Sequence, residues 1–126
     1  MRRMGKSTLE FDRPPSILSH AAVGGKKEAE GPLGDQFDQT FGDTTLQADS
    51  WEKAEAQLQK EAVSIALEKA GLGPEGVDFI LAGDLLNQCI SSTFGLMDFQ
   101  IPFLGQYGAC STMAQTLLVA SILVES

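Results

Sequence analysis

The sequence predicts an α/β domain with a largely parallel sheet. Short apolar runs of strand length alternate with longer stretches of helical periodicity, and Gly or Pro marks almost every junction. The order is strand, long loop, helix, strand, helix, strand, helix, and strands joined through helices are the βαβ units of a parallel sheet.

Each element follows from local pattern. "SILSHAAV", Ser16–Val23, lies between Pro14-Pro15 and Gly24-Gly25 and is expected as the first strand. Residues 24–48, with Gly24, Gly25, Gly31, Pro32, Gly34 and Gly42, are expected as a long loop excursion. A helix begins after Asp49, which can cap it with Glu52 three residues on. Trp51, Ala54, Leu58, Ala62 and Ile65 then recur at helical spacing. Gly71 stops this helix, with Leu72 placed for a Schellman-type end.

"VDFILA", Val77–Ala82, is the second strand, and its continuous apolar run predicts burial on both faces. Gly83-Asp84 breaks it. Leu85–Asp98 passes from loop into a helix with Ile90, Phe94 and Met97 on one side. Ile101–Tyr107 is the third strand and Ser111–Val124 the last helix. That helix has almost no polar face, so it is expected to be buried.

Composition narrows the function. The chain has 126 residues, 43% hydrophobic and 21% charged, as expected for one small globular domain or part of one. The apolar run from Met113 to Val124 is short of the roughly 20 residues of a membrane span. The N-terminus has no apolar signal core. Cys89 and Cys110 are the only cysteines, which argues against a disulfide framework and for a reducing, intracellular compartment. The net charge of −8 is uneven: the first 27 residues balance at +4 and the remainder at −12. An acidic body excludes a nucleic-acid face, which needs clustered basic residues. Lys26-Lys27 is either a solvated loop pair or a contact for a small anion.

Ligands of open parallel sheets gather beyond the carboxyl ends of the strands, where Gly83-Asp84 and Gly108-Ala109-Cys110 both fall. A thiol at a helix N-terminus meets unpaired backbone N–H groups that favour thiolate, so Cys110 can be a nucleophile. It can equally be a small buried apolar residue. Asp84 can orient a ligand or cap the segment that follows it. Cys89 reads as structural. His20, the only histidine, has no partner spacing for a metal site. The glycines form neither a Rossmann nor a P-loop fingerprint, so no nucleotide and no other cofactor is expected.

Four blocks carry a resemblance: "EGPLGDQFDQT" (Glu30–Thr40), "WEKAE" (Trp51–Glu55), "FILAGDLLNQ" (Phe79–Gln88) and "IPFLGQYGACSTMAQTLLVAS" (Ile101–Ser121). Together they resemble the stage V sporulation protein AD family of spore-forming bacteria, within the thiolase-like superfamily. Tyr107 departs from the phenylalanine expected there, and Ser91–Gln100 diverges.

The resemblance implies the N-terminal portion of a thiolase-like fold, with residues 1–126 an incomplete domain around a buried central helix. It implies binding of dipicolinic acid, pyridine-2,6-dicarboxylate, for uptake into the developing spore. It further implies work with the other stage V sporulation A proteins in the spore or forespore, peripheral to the inner spore membrane. A homodimer of the full-length protein is implied, as is a C-terminal half absent from this sequence. Asp84 and Cys110 would lie at the ligand pocket, joined by Ser111 and by Lys26 or Lys27. Cys110 occupies the position of the thiolase nucleophile and would be catalytic only if the protein is an enzyme. The alternative is a thiolase-type acyltransferase in which Cys110 takes an acyl group from a thioester. Without the second half, Leu117, Leu118, Ile122 and Val124 are expected to form an exposed apolar patch.

Overall fold

A computed structural model describes all 126 residues. The fold is mixed α/β, with three separate two-stranded pairs and four α-helices. β1 (Arg2–Met4) and β2 (Thr8–Glu10) form an antiparallel hairpin, with Arg2 opposite Glu10 and Met4 opposite Thr8. Its turn uses Gly5 at φ 63°, a left-handed conformation that glycine adopts without a Cβ clash. The sequence reading missed this hairpin, because three-residue strands are too short to show alternation.

β3 (Val23–Gly24) runs parallel to β4 (Gln39–Thr40). The strand expected over Ser16–Val23 therefore forms only at its last residue. The rest is coil, with Ile17 and Leu18 about four-fifths exposed (81% and 80%). No neighbouring strand reaches it, and its anchors go to a helix instead. Ser19 Oγ donates to the Ala66 carbonyl (2.7 Å), and Lys69 Nζ donates to the His20 carbonyl (3.1 Å). The 24–48 excursion is also more ordered than expected. It holds the short helix α1 (Lys26–Ala29), a 3-10 turn over Gly34–Gln36, and β4.

α2 (Trp51–Ala70) is the longest element, 20 residues. Its cap is Ser50, not Asp49: Ser50 Oγ accepts from Lys53 N (3.2 Å), while Asp49 pairs with the Lys53 ammonium (2.8 Å). The C-terminal end follows the sequence reading. Gly71 sits at φ 66° and Leu72 N donates to the Leu67 carbonyl (3.1 Å), closing a Schellman turn.

β5 (Ile80–Ala82) and β6 (Phe103–Gly105) pair in parallel, Ile80 opposite Phe103 and Ala82 opposite Gly105. Both are shorter than their apolar runs. Ile80 is buried, but Phe79 is half-exposed, so burial on both faces does not hold here.

α3 (Ile90–Leu96) packs along α2 through small residues. Ser91, Ser92, Gly95 and Leu96 are its buried positions, while Ile90 and Phe94 face outward. A Cβ on Gly95 would stand 2.6 Å from the Ala56 carbonyl oxygen, so glycine sets how closely the helices approach. Leu46, Ala54, Ile80 and Leu96 form the small apolar core.

α4 (Thr112–Glu125) lies against β5, but none of its residues is buried. This departs from the expected buried central helix, since only one side of α4 meets other elements. Leu117 and Leu118 are each half-exposed and Val124 is largely exposed, whereas Ile122 is partly covered. The last turn of α4 holds the N-terminal hairpin. Asp12 N and the amino terminus both donate to Glu125 Oε1, at 2.9 and 2.7 Å.

Candidate functional site

The turns after β5 and β6 interlock. Gln106 N donates to the Ala82 carbonyl (2.8 Å), extending the parallel ladder past the strands. A Cβ on Gly83 would fall 1.7 Å from the Gln106 carbonyl oxygen and 2.8 Å from the Thr112 methyl. Only glycine admits this approach, so the Asp84 turn and the Cys110 turn share one end of the sheet.

Asp84 is 1% exposed. Its Oδ2 accepts from Ser91 N (2.7 Å) and its Oδ1 from Ser92 N (2.8 Å), both in the first turn of α3, and Gln59 Nε2 approaches Oδ1 at 3.4 Å. These are helix N–H groups with no intrahelical acceptor, so the carboxylate completes the start of α3. Of the two roles open to Asp84, the structure displays capping.

Cys110 lies in a 3-10 turn, Ala109–Ser111, that runs directly into α4. Ala109 holds a left-handed φ of 47°, an unusual geometry for a residue with a side chain. The turn is closed internally. Ser111 N and Ser111 Oγ donate to the Gly108 carbonyl (3.0 and 2.7 Å), and Gly108 N donates to Thr112 Oγ1 (3.1 Å). Cys110 is exposed, which sets aside the reading of it as a small buried apolar residue. Cys89 is half-buried and its Sγ meets the Gln106 carbonyl at 3.4 Å, in keeping with a structural role.

Beside these turns a cleft of about 430 Å³ is lined by Glu55, Gln59, Gly83, Ala109, Thr112 and Thr116, among others. An adjoining cleft of about 290 Å³ holds Lys26, Lys27, Trp51, Leu85 and Leu86. Glu55 and Leu85 line both, so they form the wall between them. Glu55 Oε1 accepts from Leu85 N (3.0 Å), which fixes the start of the Leu85–Cys89 segment. The structure thus brings Asp84, Cys110 and Ser111 to one end of the sheet and puts Lys26 and Lys27 in the neighbouring cleft. Sequence reasoning missed Glu55, Gln59 and Trp51 as cleft residues. Their helical spacing was legible, but which face of α2 meets the sheet end was not.

Residues 5–126 match the family model described as "Stage V sporulation protein AD (SpoVAD)". The chain belongs to the stage V sporulation protein AD family. Its curated relative "Stage V sporulation protein AD" from Bacillus subtilis (strain 168) is 43% identical over 125 residues, covering 99% of this chain. The chain spans 37% of that relative's length. The matched region contains both clefts and every candidate residue. No helix is long and apolar enough to cross a membrane, and no three His, Cys, Asp or Glu side chains converge as metal ligands would.

Proposed function

We propose that this chain serves sporulation as the N-terminal, ligand-binding portion of a thiolase-like protein that takes up dipicolinic acid into the developing spore. The observation that carries the proposal is family membership over residues 5–126. The interlocked Gly83-Asp84 and Gly108–Thr112 turns supply a rigid rim, with Cys110 and Ser111 on the accessible side and Asp84 holding the rim from within. Lys26 and Lys27 supply positive charge in the adjoining cleft for a ligand bearing two carboxylates. The full-length protein would act as a homodimer at the inner spore membrane, peripherally and with the other stage V sporulation A proteins.

Isothermal calorimetry with dipicolinate, and with benzene-1,3-dicarboxylate as the control lacking the ring nitrogen, tests the assignment. Saturable heat with dipicolinate and slower alkylation of Cys110 in its presence are expected. No heat and no protection would reject the proposal.

One feature favours a second reading as an acyltransferase. The Cys110 thiol is exposed at the start of a 14-residue helix, where a nucleophile would be accessible. Mass spectrometry after incubation with acyl thioesters decides it, since that reading requires an acyl adduct on Cys110.

A further inference from the structure

The cleft at the sheet end has the wrong charge for a fully ionised dicarboxylate. Glu55 is the one charged residue that lines it, and no basic side chain does. Two oxygens on its α2 wall also lack partners. Glu55 Oε1 accepts from Leu85 N (3.0 Å), which leaves Oε2 buried with no hydrogen bond. One turn on, Gln59 directs Nε2 at the Gly83 carbonyl and Asp84 Oδ1 (3.5 and 3.4 Å), so its Oε1 is buried and unbonded as well. Reversing that amide would set its oxygen against two others. A carboxylate and an amide oxygen can only accept, and buried acceptors left unpaired are costly. This wall therefore calls for a hydrogen donor.

We infer that the sheet-end cleft takes dipicolinate in its singly protonated form, the ligand's carboxyl O–H donating to Glu55 Oε2. The inference rests on the dipicolinate reading and keeps the ligand beside Ala109 and Thr112. Binding of the dianion then takes one proton from solvent, and that proton stays on the ligand carboxyl, between its oxygen and Glu55. The second carboxylate remains ionised. It keeps the attraction of Lys26 and Lys27 in the adjoining cleft, partly offset by Glu28. The other titratable groups around Glu55 are Asp84, held behind Gln59, and Cys110, which follows Ala109 at the rim. From α4 the cleft meets only Thr112, Met113 and Thr116.

The test is calorimetry of the 126-residue chain with dipicolinate, in buffers stripped of divalent metal on a chelating resin and differing in ionisation enthalpy. Uptake of about one proton per ligand is expected, with affinity falling about tenfold per unit between about pH 6 and pH 8. The monoamide, 6-carbamoylpyridine-2-carboxylate, donates through N–H with no proton taken up. It should bind about tenfold or more tighter than dipicolinate at about pH 8 and show no pH slope. Glu55→Gln keeps an oxygen for Leu85 N and replaces the unpaired acceptor with a donor. That variant should tighten dipicolinate about three- to tenfold at about pH 8 and abolish the proton uptake. Saturable heat with neither proton uptake nor preference for the monoamide would overturn the inference while leaving dipicolinate binding intact. Binding that appears only when a divalent metal is added would do the same. No heat at any pH, with or without metal, would overturn both.

Discussion

Asp84 and Ser92 are joined by a buried hydrogen bond, Ser92 N donating to Asp84 Oδ1 at 2.8 Å, and Ser91 N occupies the other carboxylate oxygen at 2.7 Å. One side chain thereby ties the end of β5 to the start of α3. Asp84→Ala would leave two buried N–H groups without an acceptor, each costing roughly 1–3 kcal/mol. We expect Asp84→Ala to lower stability by about 2–4 kcal/mol by urea denaturation, with Asp84→Asn milder because its amide oxygen still accepts. Faster amide exchange at Ser91 and Ser92 should accompany the loss. Unchanged stability in Asp84→Ala would show that α3 does not depend on this carboxylate.

Gly83→Ala tests the interlock of the two turns. The new Cβ would sit 1.7 Å from a backbone oxygen, which cannot swing aside as a side chain can. A loss of about 1–3 kcal/mol or more is expected, together with faster exchange of the Gln106 amide. A neutral substitution would mean that the turns are separable.

The Asp38–Lys69 pair gives a pH signature. The Lys69 ammonium, 2.5 Å away, and then the Ala22 N–H hold the Asp38 carboxyl below its ordinary value of 3.8. A depressed folded value means that the unfolded chain binds the proton first. The stabilisation is then complete above the unfolded value and disappears as pH falls through the folded one. Denaturant midpoints of the parent and Asp38→Asn should differ near neutral pH and converge as the pH falls below the ordinary carboxyl value of 3.8 and through the lower folded one. A difference that persists at the acid end would contradict the pairing.

The two cysteines should react in a fixed order. Cys110 is exposed, whereas Cys89 is half-buried with its thiol directed to the Gln106 carbonyl. Limiting iodoacetamide followed by peptide mass spectrometry should label Cys110 first. Preferential labelling of Cys89 would show that the β6–α4 turn is arranged differently in solution.

The open side of α4 predicts association. Leu117 and Leu118 are each 52% exposed and Val124 is 71% exposed, and burying such a side chain fully is worth roughly 1.5–3 kcal/mol. We expect the 126-residue chain to self-associate with rising concentration in analytical ultracentrifugation, and Leu118→Lys to shift it toward monomer. A stable monomer at all concentrations would show that this face needs no cover.

What the sequence determined by itself is what neighbouring residues decide between them. α2 and its Gly71 end, the α4 run, the alternation of strand and helix, and the parallel pairing of β5 with β6 were legible because helical spacing, stop signals and crossover length are local properties. The same local signal failed at Ser16–Val23, whose apolar residues suit a strand but meet no strand partner. The blocks around Asp84 and Cys110 put both residues at one end of the sheet, as the structure does, without revealing what either side chain does there. Tertiary structure alone buried Asp84 against two α3 amides, left Cys110 in the open, and put Trp51 and Lys27 in one cleft. These outcomes depend on which residues meet across long stretches of chain, and the free energy of burying a charge or exposing a thiol is set by those neighbours.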